Sequence, residues 1–150
     1  MRNRGSENDR SIVRWLHNKL TGEGEVPEPV TTRPNGVHHP DCDPDITLED
    51  YLEERYVDGR PTVGILYTAN LWIYNNQAHI YALIRELESR ELNVIPVFFS
   101  TIVRNMKDDE GTAGVFRKYF MDGDRSRVDA VVMATPFSQL NGSRDCSGVY

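Results

Sequence analysis

The sequence predicts an α/β protein with a short parallel sheet and flanking helices, Rossmann-like or flavodoxin-like, preceded by a helix and a proline-rich connector. Three observations predict it. Thr62–Tyr67 (TVGILY), Asn93–Phe99 (NVIPVFF) and Val128–Thr135 (VDAVVMAT) are short runs, apolar on both faces, as buried parallel strands are. Helix-periodic segments separate them, and strand–helix–strand order implies right-handed parallel crossovers. Six of the eight prolines lie between Pro27 and Pro61, where they exclude long regular structure. Two parts are therefore expected. Residues 1–60 hold a helix, the connector and a short helix; residues 61–150 hold the parallel domain, which looks truncated because no helix pattern follows its third strand.

The elements follow in order. Residues 7–20 read as a helix with Ile12, Val13, Leu16 and Leu20 on one face, Trp15 at its border and Thr21-Gly22 as its stop. Residues 21–46 read as an extended connector. Thr47 can cap a helix over 48–57, with Asp50 three residues on and Leu48, Tyr51, Leu52 and Tyr56 on one face. After the first strand comes a polar and aromatic loop, TANLWIYNN, and then a helix over 76–91 with a stripe of Ile80, Leu83, Ile84 and Leu87. Pro96 marks the second strand as an edge strand or a bulge. A weaker helix over 110–121 precedes the third strand.

Composition narrows the function. Seventeen Lys and Arg against 23 Asp and Glu leave a net charge of −6, a poor fit to nucleic acid, whose binding rests on phosphate neutralisation. No apolar run approaches the roughly 20 residues of a membrane span, and the charged N-terminus lacks a signal-peptide core. Cys42 and Cys146 lie too far apart to match a zinc pair. A reducing, cytoplasmic setting is the simplest expectation. The chain holds neither GxGxxG nor GxxxxGK[ST], so direct binding of a nucleotide by either common loop is not expected.

Ligands of an open parallel sheet sit beyond the carboxyl ends of its strands. Here those ends carry Thr68–Asn76, the loop from Ser100 and Pro136–Gln139. Candidate ligand-binding residues are His39, Tyr67, Asn70, Trp72, Tyr74, Asn76 and His79, and of these His39 and His79 are the candidate metal ligands. Trp72 and Tyr74 could pack on the domain or face a flat ligand or partner. His79, in the first turn of its helix, could be a half-buried helix residue or a neutral imidazole facing the crevice. His38-His39-Pro40-Asp41-Cys42 is the densest group of metal-binding side chains, although neighbours in extended chain point apart and a polar turn set by Asp and Pro is the commoner explanation. The eight carboxylates of Asp41–Asp58 suit a solvated face or a weak cation site. No nucleophile, base and orienter set is visible.

Taken in order, SIVRWLHNKL, NGVHHPD, TLEDYLEE, GRPTVGILY, ALIRELESRELNVIPVFFSTI and VDAVVMATPFS resemble the N-terminal part of the cobaltochelatase large subunit (CobN-type) and of its relative, the magnesium chelatase H subunit. The resemblance spans nearly the whole chain. His38 stands where the family has an aromatic residue, and the arginine of its Phe-Tyr-Arg segment is absent after Tyr67. Asn75–His79 is more similar to the magnesium side, the connector and HHPD to the cobalt side. The resemblance implies insertion of a divalent metal, cobalt or magnesium as substrate, into a tetrapyrrole, in cobalamin or chlorophyll-type biosynthesis, with no cofactor held by this chain and ATP hydrolysed by AAA+ partner subunits. It implies a fragment inactive on its own. A protein-interaction module or a small-ligand α/β module is the alternative, to which the acidic N-terminal half and the aromatic loop correspond.

Overall fold

The structure, a computed structural model, describes residues 6–26, 28–30, 33–100 and 111–135. In chain order it comprises α1 (Ser6–Thr21), β1 (Asn35–Val37), α2 (Leu48–Arg55), β2 (Thr62–Thr68), α3 (Ala69–Ile73), α4 (Ala78–Ser89), β3 (Asn93–Phe99), α5 (Gly111–Phe120), the two-residue strands β4 (Met121–Asp122) and β5 (Arg125–Ser126), and β6 (Ala130–Ala134). A four-stranded sheet has the order β1-β3-β2-β6, and β4 and β5 pair as a separate hairpin.

The three expected strands form the parallel part, with β2 in the middle, Thr62 to Thr68 beside Asn93 to Phe99 and Val63 to Tyr67 beside Ala130 to Ala134. The connector differs from expectation. It contributes β1, which pairs antiparallel with β3 through Asn35↔Phe99, Gly36↔Phe98 and Val37↔Val97. The sheet is therefore mixed. Three residues, Asn-Gly-Val, are too few for an alternation pattern to announce a strand.

Pro96 also departs from expectation, since β3 lies between β1 and β2. A strand residue presents its N–H and C=O to the same neighbour. The Pro96 carbonyl accepts from the His38 N–H at 3.0 Å, so the donor that proline lacks would also have faced the β1 side. The β2 ladder loses nothing, and β1 stops one residue earlier, at Val37.

The helices follow their local signals. Gly22, in the left-handed region at φ +73°, ends α1 and donates its N–H to Asn18 at 2.8 Å. Thr47 caps α2: its hydroxyl oxygen accepts from the Asp50 N–H at 3.1 Å and donates to the Asp50 carboxylate at 2.7 Å. That helix ends at Arg55, two residues short of expectation, because Tyr56 is already extended. The stretch expected as a loop after β2 holds the five-residue α3, set off from α4 by Asn75 at φ +53°.

The sheet divides the core. On one face Ile65, Tyr67, Val94 and Phe98 meet Ile80 and Ile84 of α4. On the other, Leu66, Ile95, Val97 and Phe99 meet Tyr51 of α2 and Val115, Tyr119 and Phe120 of α5. Gly64 makes room there, since a Cβ at this position would stand 2.8 Å from the Phe120 ring. Because α4 and α5 cover opposite faces, the chain reverses its winding between β2 and β6, and that switch point opens at the carboxyl end of β2.

α1 stands apart. Asn8 ties it to the connector, donating to the Val30 carbonyl at 2.7 Å and accepting from the Val30 N–H at 2.8 Å. Its apolar face, Ile12, Val13, Leu16 and Leu20 with Trp15, is exposed, Leu20 to 86%. Among the described residues no helix is long and apolar enough to cross a membrane.

Candidate functional site

The carboxyl end of β2 is built from the residues after Tyr67. Of the expected site residues, Tyr67 is fully buried and its ring lies 6.4 Å from Phe98. Trp72, on α3, stacks on Phe98 with centroids 4.2 Å apart and planes 7° from parallel. The Arg33 guanidinium flanks the stacked pair, 5.8 Å from the Trp72 centroid and 5.6 Å from that of Phe98. Asn70, Tyr74 and Asn76 are exposed on the same segment. The Asn70 carbonyl accepts from the Tyr74 N–H, and the Asn76 N–H donates to Leu71, so backbone bonds hold the segment in a compact turn. His79 is exposed on the first turn of α4. The loop beyond Ser100 and Pro136–Gln139 lie outside the described residues, as does Cys146.

His39 is placed elsewhere, fully buried beside Tyr51. Its Nδ1 accepts from the Asp41 N–H at 3.2 Å, so the proton sits on Nε2, which donates to Glu88 at 3.2 Å. Arg55 of α2 donates to the same Glu88 oxygen at 2.8 Å. Burial, with Arg55 adding to it, lowers the His39 pKa against the opposing pull of Glu88, so the ring is neutral. Both ring nitrogens are engaged, which leaves no lone pair for a metal in this arrangement.

Its neighbour His38 faces the other side of the connector. Tyr81 lies 2.8 Å from His38 Nε2, and the Gln77 amide nitrogen lies 3.1 Å from the same atom. Burial lowers its pKa, reinforced by the charge of Arg33. Next along the chain, Asp41 receives both nitrogens of Arg85 at 2.6 Å each, and this fork holds its carboxyl below the usual range.

One helix, α4 with its N-cap, reaches His38, His39 and Asp41 alike. Gln77, Tyr81, Arg85 and Glu88 are spaced four, four and three residues apart, so they lie on one face of α4 and its N-cap. That polar stripe grips the turn His38–Asp41 beside the apolar stripe that faces the sheet. None of the four figured among the expected site residues. The signal was present in the spacing, but a polar stripe on a helix reads by default as solvent-facing.

Chemically, the region offers a stacked aromatic pair flanked by a cation and a neutral histidine in a hydrogen-bonded cluster. Among the described residues no three His, Cys, Asp or Glu side chains gather where one ion could be held. The carboxylates Asp43, Asp45, Asp50, Glu53 and Glu54 line a shallow acidic recess of about 360 Å³ instead.

Comparison with known proteins is decided by one match: the family model of CobN/Magnesium Chelatase covers residues 1–148. The chain belongs to the CobN/magnesium chelatase family. An uncharacterized protein of Methanocaldococcus jannaschii is 28% identical over 146 residues, covering 92% of this chain and 11% of that relative. The catalytic subunit of cobaltochelatase from Mycobacterium tuberculosis aligns with 69% of this chain and 8% of its own, at 19% identity and a TM-score of 0.43. The chain thus spans about a tenth of the length of these two proteins.

Proposed function

We propose that this chain is a domain of the large subunit of an ATP-dependent chelatase, which inserts a divalent metal, cobalt in preference to magnesium, into a tetrapyrrole in a cytoplasmic biosynthetic pathway. The observation that carries the proposal is the family match over residues 1–148. The sequence has no phosphate loop of either common type, in keeping with ATP hydrolysis by separate AAA+ subunits. Insertion needs a macrocycle held flat, its pyrrole protons removed and a metal stripped of water. This domain contributes to the first task. Trp72 and Tyr74 offer aromatic surface, and Asn70 and Asn76 offer polar contacts, all at the switch point. The exposed His79 is the better placed of the two histidines for a passing metal, since His39 is engaged on both nitrogens.

The test is reconstitution of the complete subunit with its ATPase partners, ATP and either Co²⁺ with a corrin or Mg²⁺ with a porphyrin, followed by the macrocycle's absorption band. ATP-dependent change with cobalt and corrin is expected. Change with magnesium alone would reverse the metal preference, and no change with either pair would overturn the proposal.

A second reading, a non-catalytic interaction module, is favoured by the exposed apolar face of α1. It expects Ile12→Glu with Leu16→Glu to abolish capture of a chelatase partner while the far-ultraviolet spectrum of the domain stays unchanged. Undiminished capture would sink it.

A further inference from the structure

The two edges of the sheet are made differently. At one edge, β1 is three residues long and runs antiparallel to β3. A strand that short offers little for another to pair with. At the other edge, β6 runs parallel to β2 from Ala130 to Ala134. Among the described residues nothing pairs with its outer side. Its sequence, Ala-Val-Val-Met-Ala, has no proline and no charge, so it carries neither of the residue types that commonly keep an open edge from pairing.

Burial draws the same contrast. All seven residues of β2 and all seven of β3 are buried, and none of the five in β6 is. Val132, beside Ile65, is 38% exposed on the α4 side of the sheet, and Met133, beside Leu66, is 47% exposed on the α5 side. An antiparallel edge strand is commonly wet on one face. Parallel strands are covered by helices on both. β6 thus has the composition of an inner strand and the position of an edge.

The handedness of the chain decides what covers it. The path from β2 to β3 runs one way across the sheet, and the path from β3 past β2 to β6 runs the other, which is why α4 and α5 lie on opposite faces. A strand added outside β6 continues in the second direction. A right-handed crossover then brings the helix leading to it over the α5 face, where Met133 is bare. A second copy paired edge to edge would supply a strand but no such helix, since its own β6 is equally bare. The chain matches 11% of the length of its Methanocaldococcus jannaschii relative, so a subunit of that size has ample further chain to supply both.

We infer that β6 is an inner strand in the complete subunit: the next βα unit of the same polypeptide lays a parallel strand along its free edge and a crossover helix over Met133. This assignment rests on the chain's being part of a large subunit, as proposed above.

Hydrogen exchange, read by mass spectrometry on peptides spanning β6, tests it. In the 150-residue chain alone, alternate amides of β6 face β2 and exchange slowly, while those between them face water and exchange fast. In the complete subunit all five amides of Ala130–Ala134 are expected to be slow. Met133→Lys is expected to leave the unfolding midpoint of the 150-residue chain unchanged. In the complete subunit it is expected to speed exchange of β6 at least about tenfold, because the charge would be taken under a helix. Outward amides that exchange as fast in the subunit as in the chain alone would overturn the inference, and so would a Met133→Lys subunit that exchanges like the parent. A concentration-dependent dimer of the 150-residue chain with all five amides slow would overturn it too, by giving the edge to a second copy. Metal insertion assayed on the same subunit keeps the two readings apart. Insertion with a half-protected β6 overturns this inference alone, whereas a fully protected β6 without insertion supports it and overturns only the chelatase reading.

Discussion

At the scale of single residues, His38 and His39 make stability depend on pH. Both are held neutral by burial, with pKa values below 6.5. Above about pH 6.5 neither the folded nor the unfolded state takes up their protons, and their contribution is complete. As pH falls below 6.5 the unfolded chain binds protons that the folded chain refuses, so stability drops until the folded-state values are reached. Urea midpoints should therefore fall between pH 7.5 and 5.5, and the double variant His38→Gln, His39→Gln should flatten that slope, even if it is less stable throughout. An unchanged slope would assign the pH dependence to other groups. Gly64→Ala tests a different residue-level claim. Its methyl would meet the Phe120 ring at 2.8 Å, and overpacking of this kind costs about 1–3 kcal/mol by chemical denaturation. Tyr51→Phe removes the hydroxyl that donates to the buried Val94 carbonyl at 2.6 Å, for an expected loss of about 1–3 kcal/mol. Little of this was legible in the sequence. A histidine pair in a proline turn looks the same whether it meets solvent, metal or a helix, and only the fold brings Glu88, Arg55 and Tyr81 to it.

At the scale of elements the sequence was far more informative, for a physical reason. β2, β3 and β6 carry apolar residues on both faces, and α4 carries a stripe at helical spacing, so burial and periodicity announce them directly. β1 is short and is held by the partner strand rather than by its own pattern, and α3 is a single turn in a segment rich in turn-forming Asn. Pro96 misleads because its penalty depends on which neighbour faces the missing donor, and the sequence does not state that. Supplying the donor should have a visible effect. Pro96→Val is expected to extend the β1 ladder by one bond to the His38 carbonyl, read as a slowly exchanging amide at residue 96. A fast-exchanging amide there would refute this account of where β1 stops. α1 makes the opposite kind of prediction. Leu20 is so exposed that Leu20→Lys should change stability by no more than about 0.5 kcal/mol, and a larger loss would mean that the helix face is covered.

At the scale of the whole molecule, the order β1-β3-β2-β6 places the aromatic segment after β2 at the point where the winding reverses, which is where an open sheet can admit a ligand. The sequence located that segment through its strand ends. It did not separate the residues that gather there, Tyr67 and Trp72 with His38, from His39, which lies across the connector. The alternation of side chains along His38-His39 does that, and it becomes readable only once β1 fixes the register.

The polar stripe of α4 has a consequence for how the domain opens. The turn at 38–41 is held by Gln77 and Tyr81 near one end of the helix and by Arg85 and Glu88 towards the other. Neither partner can slide along the other by a turn without giving up every one of these bonds together. Helix and turn should thus behave as one cooperative unit, losing amide protection at a single denaturant concentration, while α1 frays well before them.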